Sequence, residues 1–204
     1  MVLVESQNIL LTDKNVKSNV LKRFGVAFRR LHSNFWYSLR IAVLVVVKMF
    51  ECEKCGRCCM YSPPIFKESE AVEIARFLGV EVEELPLTEF VQFSRRYYRA
   101  PKPCPFLGDD MKCRVYSVRG AGCRAFPHEW LMYAMVPEYC PSVFRAIEKA
   151  TLFIEENNEA LKKAVVFMQD DLDRLARESA FKEKMRYEEY DSLVRKLFRF
   201  LKSI

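Results

Sequence analysis

Glycine and proline are scarce in this chain, at 6 and 9 of 204 residues, which excludes a collagen-like, low-complexity or linker-dominated protein. Long apolar runs are missing too. The richest, Ile41–Val47 (IAVLVVV), is bounded by Arg40 and Lys48. Even counted from Phe35 it falls short of the about 20 apolar residues that a bilayer span needs. It begins some 40 residues into the chain with no small-residue cleavage site after it, so a secretory signal is not expected. Histidine occurs only twice, as His32 and His128. Residues 51–204 lack a charge excess of either sign, with 25 basic and 25 acidic residues, so binding to nucleic acid by bulk electrostatics is not expected of them.

The charge sits at the other end. Residues 1–50 carry eight Lys/Arg against Glu5 and Asp13, which accounts for the net +6. The stretch Lys22–Arg30 (KRFGVAFRR) is basic and amphipathic, and residues 20–48 are candidates for weak contact with an acidic membrane surface. The apolar run before Cys52 reads as a buried strand. The charge break near Met49 also fits an alternative start there, which would make residues 1–48 an added arm. A division follows: a basic arm over 1–48, a cysteine-rich domain over 49–141, and C-terminal helices over 142–204 packing on it.

Against these scarcities stand eight cysteines. In a chain with no expected export signal, thiols fit a reducing, cytoplasmic compartment, where they stay reduced or bind metal; a disulfide framework is the alternative. Four of them crowd into "FECEKCGRCCM": Cys52, Cys55, Cys58 and Cys59. A Cys-x-x-Cys step lets two sulfurs point at one metal while the intervening backbone N–H groups turn toward the thiolates. Here the step is repeated, as in ferredoxin-type motifs that hold a [4Fe–4S] cluster. Gly56 suits a tight backbone path beside metal or sulfide. Cys59 is the odd member: adjacent side chains diverge, so Cys58 and Cys59 are poorly placed to join Cys52 and Cys55 on one small tetrahedral ion. This tilts the reading from zinc toward an iron–sulfur or paired metal centre.

Cys104, Cys113, Cys123 and Cys140 complete the supply. Cys104 and Cys140 are each followed by Pro, as some ferredoxin ligands are. Arg114 and Arg124, each directly after a cysteine, could offset thiolate charge. His128, among aromatics in "FPHEW", reads as a structural residue more readily than as a ligand, and His32 carries little weight.

Around the cysteines, Ser69–Leu78 reads as a helix with Ser69 as N-cap and Gly79 as stop. A second helix is expected from Thr88, broken by Pro101 and Pro103. From Pro141 onward the pattern is helical. Leu161, Val165, Met168, Leu172 and Leu175 recur at helical spacing, and a last helix after Asp191 carries Val194, Leu197, Phe198 and Leu201 on one side. The fold class expected is mainly α with irregular cysteine-rich metal-binding loops, and small α+β elements near the cluster.

Four segments in order, Phe50–Cys59, Cys104–Leu107 (CPFL), Cys113–Arg119 (CRVYSVR) and Cys123–Pro127 (CRAFP), resemble the CxxCxxCC family of zinc- or iron-chelating domains. The resemblance covers about residues 49–141; it departs at Gly120, where the family usually has Pro. It implies metal binding. One branch resembles flagellin lysine N-methylase, which uses S-adenosylmethionine, but "RGAG" (Arg119–Gly122) reads as a turn rather than a cofactor-cradling loop.

Three functional readings follow. The first is a cytosolic protein holding an iron–sulfur cluster ([4Fe–4S] foremost) or zinc through both cysteine groups. The second is an S-adenosylmethionine-dependent protein lysine N-methyltransferase, or a redox enzyme, using the cluster. The third is a zinc-stabilised module that docks a protein partner.

Overall fold

A computed structural model describes residues 14–132, 135–180 and 187–204. In chain order the elements are α1 (Lys14–Arg29), α2 (Phe35–Met49), α3 (Arg57–Tyr61), β1 (Ile65–Lys67), α4 (Glu68–Leu78), β2 (Thr88–Gln92), β3 (Arg95–Arg99), α5 (Ala121–Ala125), α6 (His128–Met132), α7 (Pro141–Glu156), α8 (Asn158–Phe167), α9 (Gln169–Ala180) and α10 (Tyr187–Leu201). The protein is mainly helical with a small antiparallel sheet, the fold class the sequence predicts. The chain divides into two compact units: the described residues of 1–51 with those of 127–204, and Cys52–Phe126.

In the helical unit the expected strand at Ile41–Val47 is instead the middle of α2. An unbroken apolar run does not distinguish a buried strand from a buried helix. The deciding feature is local: the Asn34 side chain accepts the backbone N–H groups of Trp36 and Tyr37, starting a helix just upstream. Every residue from Ser38 to Val46 is buried, so α2 is covered on all sides, with α1, α7 and α10 among its neighbours. The KRFGVAFRR stretch lies on α1 and the turn after it. Its apolar residues Phe24, Ala27 and Phe28 face inward, and Arg23 pairs with Glu155 at 2.5 Å. Leu161, Val165, Met168 and Leu172 are all buried, but on two successive helices, α8 and α9, with Met168 at their junction. The side chain of Leu175 lies outside the described residues. No helix among the described residues is long and apolar enough to cross a membrane.

The cysteine unit packs α4 against a three-stranded sheet of order β1-β3-β2. Helix α4 begins at Glu68 with Lys67 as N-cap, slightly before the expected Ser69, because Glu70 reaches back to accept the Lys67 N–H at 2.9 Å. It ends at Gly79, which takes φ +71. The helix expected from Thr88 is a hairpin. Thr88, Phe90 and Val91 are strand formers, Phe90 stacks on Tyr97 across the ladder at 5.6 Å, and Phe93 and Ser94 turn the chain with positive φ. The core comprises Phe66, Ala71, Ile74, Ala75, Leu85, Tyr98, Ala100, Cys104, Phe106 and Val115, with Cys59, Cys113 and Cys123 packed against it.

Candidate metal centre

Cys58 and Cys59 stand in α3, which follows Gly56 at φ +70. The glycine is required by a close approach: a Cβ there would lie 2.3 Å from the Met111 carbonyl oxygen and 2.8 Å from Leu107 Cδ1. The tight path expected near a metal therefore runs against the protein's own 107–113 loop. That loop is closed by Gly108 N–H to Lys112 O at 2.8 Å and Arg114 N–H to Phe106 O at 2.8 Å, and it pairs Leu107 with Cys113.

Backbone bonds then align the cysteines. Cys104 donates its N–H to the Cys59 carbonyl at 2.8 Å, and Leu107 donates to the Cys104 carbonyl at 3.0 Å. As a result the Cys59 thiol lies close enough to those of Cys104, Cys113 and Cys58 for all three to act on its protonation. Two turns of sequence and one loop thus bring four sulfurs together, with Cys59 as their hub. Cys123, on α5, is close enough to Cys104, Cys113 and Cys58 for their charges to act on it. Helix α5 is held by Glu70, whose second oxygen accepts the Ala121 N–H at 2.6 Å. Gly120, the departure noted above, leaves room for Phe66, whose Cδ1 would be 2.7 Å from a Cβ there.

The electrostatics follow from this packing. The Cys59 thiol is held strongly in its protonated form by its bonds to Cys104, Cys113 and Cys58. Its neighbours are pushed the other way: Cys58 to about 7 and Cys113 to about 6, each chiefly through the Cys59 bond, and Cys104 downward for the same reason. Arg119 further favours the Cys113 thiolate. Burial raises Cys123 to about 12.

Three of the expected ligands, Cys52, Cys55 and Cys140, have other surroundings. Cys52 is exposed, and its sulfur accepts the Lys54 N–H at 3.4 Å; Cys55 is half-buried. No hydrogen bond joins either of them to the four-thiol set. Cys140 is the buried N-cap residue of α7 in the helical unit. His128, in the same unit, is buried with its ring edge-on to Phe50 at 5.9 Å, and burial lowers it to about 4. The cation that acts on Cys113 is Arg119, stacked 4.0 Å over Tyr116, rather than Arg114 or Arg124, the two candidates that follow cysteines in the sequence. Tyr116, Lys54 and Glu70 were also missed; only the family-like CRVYSVR segment carried any signal for the first.

Among the described residues no three His, Cys, Asp or Glu side chains already stand in a coordination arrangement. The donor set nevertheless fits a soft metal. Metal–sulfur bonds of about 2.3 Å put the sulfurs of a tetrahedral site about 3.8 Å apart, a separation that thiol–thiol hydrogen bonds also span.

No curated protein and no solved structure matches the chain. The sequence profile of one family does, and its span includes the whole cysteine unit and ends at the first residue of α7. Residues 51–141 match the model of the CxxCxxCC family, described as a "Putative zinc- or iron-chelating domain".

Proposed function

We propose that the chain is a metal-binding protein whose cysteine unit holds one zinc or iron ion through Cys58, Cys59, Cys104 and Cys113, with Cys123 alongside. The observation that carries this reading is the backbone bond from Cys104 N–H to Cys59 O at 2.8 Å, which sets these two cysteines side by side with Cys58 adjacent in the chain and Cys113 packed against the same core. Size supports it. A unit of roughly 75 residues builds a marginal core, and small domains usually need a metal or disulfides as well. The seven thiols of this unit are in no disulfide. The family's zinc- or iron-chelating description agrees. We assign the protein to a reducing, cytoplasmic setting, where such thiols persist.

The test is anaerobic purification of the full chain followed by metal and acid-labile sulfide analysis. One zinc or iron per chain without labile sulfide is the expected result. A metal-free protein that stays folded in metal-replete medium and ignores added zinc refutes the reading. An iron–sulfur cluster is the second reading, favoured by the fifth sulfur, Cys123, beside the four. Stoichiometric sulfide and visible charge-transfer absorption would establish it.

A further inference from the structure

The sheet of the cysteine unit has two edges, and they are unlike. The β1 edge is three residues long and α5 packs against it, with the Ile65 carbonyl oxygen 3.8 Å from where a Cβ on Gly122 would stand. The β2 edge runs the five residues Thr88–Gln92, four of them exposed, and among the described residues its backbone bonds only to β3. Such a row of unpaired N–H and C=O groups is a template for another strand unless proline, lysine or a bulge blunts it. No Pro or Lys stands within β2, its register with β3 is continuous, and Val91 is 67% exposed.

Charge is sorted between the two faces of the sheet. Phe66 and Tyr98 share the core with Ala71, Ile74 and Ala75 of α4. Alternation along the strands and their register therefore put Lys67, Tyr97, Arg95 and Arg99 on the outer face, level with Thr88, Phe90 and Gln92 of β2. No acidic residue of the strands shares that face. Glu89 stands on the α4 face with Arg96, which it approaches at 3.8 Å, and Glu68 reaches the same arginine at 3.6 Å. Among the described residues Lys67, Arg95 and Arg99 enter no ion pair. The Arg99 guanidinium lies 5.0 Å over the Phe90 ring, so it is carried from β3 onto β2, toward the open edge.

We propose that the β2 edge takes an extended acidic segment of a partner protein as a fourth strand, one whose carboxylates alternate with apolar side chains. Main-chain bonds to β2 hold the segment. Its carboxylates, on the outer face, meet Arg99 and Arg95, and the apolar side chains between them cover Val91. A second copy of this chain fits poorly: its β2 offers only Thr88, Phe90 and Gln92 to the outer face, and it brings the same cations. A single-stranded nucleic acid would match the cations but leaves the edge amides and Val91 unused. The Phe90 ring on which a base could stack is already taken by Tyr97 and Arg99. No cysteine belongs to this surface, so the proposal stands apart from the metal-binding reading.

The experiment uses the full chain and a fluorescein-labelled peptide that alternates glutamate and valine over about seven residues, with binding read by fluorescence polarisation. Saturable binding is expected, together with slowed hydrogen exchange in the Thr88–Gln92 segment. Arg99→Glu should weaken it by about fivefold or more. Arg76→Glu, which changes the net charge equally from α4 on the other side of the sheet, should bind as wild type. Arg99→Lys keeps the charge and should stay within about twofold of wild type, which separates the charge effect from a folding defect. The same peptide methylated at every amide nitrogen should not bind. Binding that survives this methylation, or that is equal in Arg99→Glu, overturns the proposal, as does the lack of saturable binding up to about 1 mM. So does tighter binding of a single-stranded oligothymidylate, or self-association of the chain that itself protects Thr88–Gln92 from exchange.

Discussion

Replacing Gly56 by alanine should damage the metal centre without touching a ligand. Two costs combine. At φ +70 an alanine is strained by about 1–2 kcal/mol, partly offset by the stiffer unfolded chain. The second cost is steric: the new methyl would stand 2.3 Å from the Met111 carbonyl oxygen and 2.8 Å from Leu107 Cδ1. Met111 belongs to a hydrogen-bonded loop, so the contact is relieved only by moving backbone, which as overpacking costs about 1–3 kcal/mol more. The loop carries Cys113 and α3 carries Cys58 and Cys59, so the strain falls between sulfurs that must meet on one ion. Gly79 supplies the control. Its φ is +71, but a Cβ there meets nothing within 4 Å, so Gly79→Ala bears the conformational cost alone. The assay is zinc competition on both variants, with hydrogen exchange followed in the 104–113 and 68–78 segments. Gly56→Ala should lose at least about tenfold in zinc affinity, equivalent to about 1.4 kcal/mol, and open the 104–113 segment. Gly79→Ala should bind as wild type and open only the end of α4. Equal zinc affinity in the two variants would refute the claim that α3 and the loop are held in contact for the sake of the site.

Two further expectations concern the helical unit. Burial lowers His128 from 6.5 to about 4, so the unfolded chain takes up a proton that the folded chain refuses. Stability is then full above pH 6.5 and falls as pH drops toward 4; the loss attributable to this group between pH 7 and 5 is about 2 kcal/mol. Urea titrations across that range should show a correspondingly shallower pH dependence for His128→Gln, and parallel slopes would contradict the assignment. The second perturbation is a chain beginning at Met49. It would lack α1 and nearly all of α2, removing Phe24, Phe28, Leu39, Ile41, Leu44 and Val45 among other buried side chains. At about 1.5–3 kcal/mol for each, their loss exceeds the roughly 5–15 kcal/mol that hold a typical domain. Thermal melting followed by helical circular dichroism should lose its cooperative transition, whereas a melt close to that of the full chain would mean that residues 1–48 are dispensable.

Local chemistry was legible wherever one residue decides a boundary. Gly79 stops α4 because it alone adopts φ +71 there without strain, and Pro141 opens α7 at a position where its missing N–H costs nothing. The errors arose where two structures share one composition. Ile41–Val47 is apolar on every side, which a sheet interior and a helix surrounded by helices satisfy equally; the cap at Asn34 was the discriminating residue. At Thr88–Arg99, Phe90, Val91 and Phe93 admitted a helical reading. Phe93 proved to sit at a hairpin tip, 87% exposed and at φ 50, in a turn that usually calls for Asn-Gly. Nothing in the local sequence announces that arrangement; the pairing of β2 with β3 imposes it.

The cysteines divide along the same line. Spacing singles out Cys58 and Cys59, because adjacent residues in a helix point about 100° apart and do not simply extend the Cys52–Cys55 step. The remedy expected from sequence was a larger cluster. Cys59 turns to Cys104 and Cys113, fixed by a backbone bond between residues 45 positions apart (Cys104 N–H to Cys59 O, 2.8 Å) and by a loop leaning on a glycine. Such long-range bonds leave no trace in a local pattern.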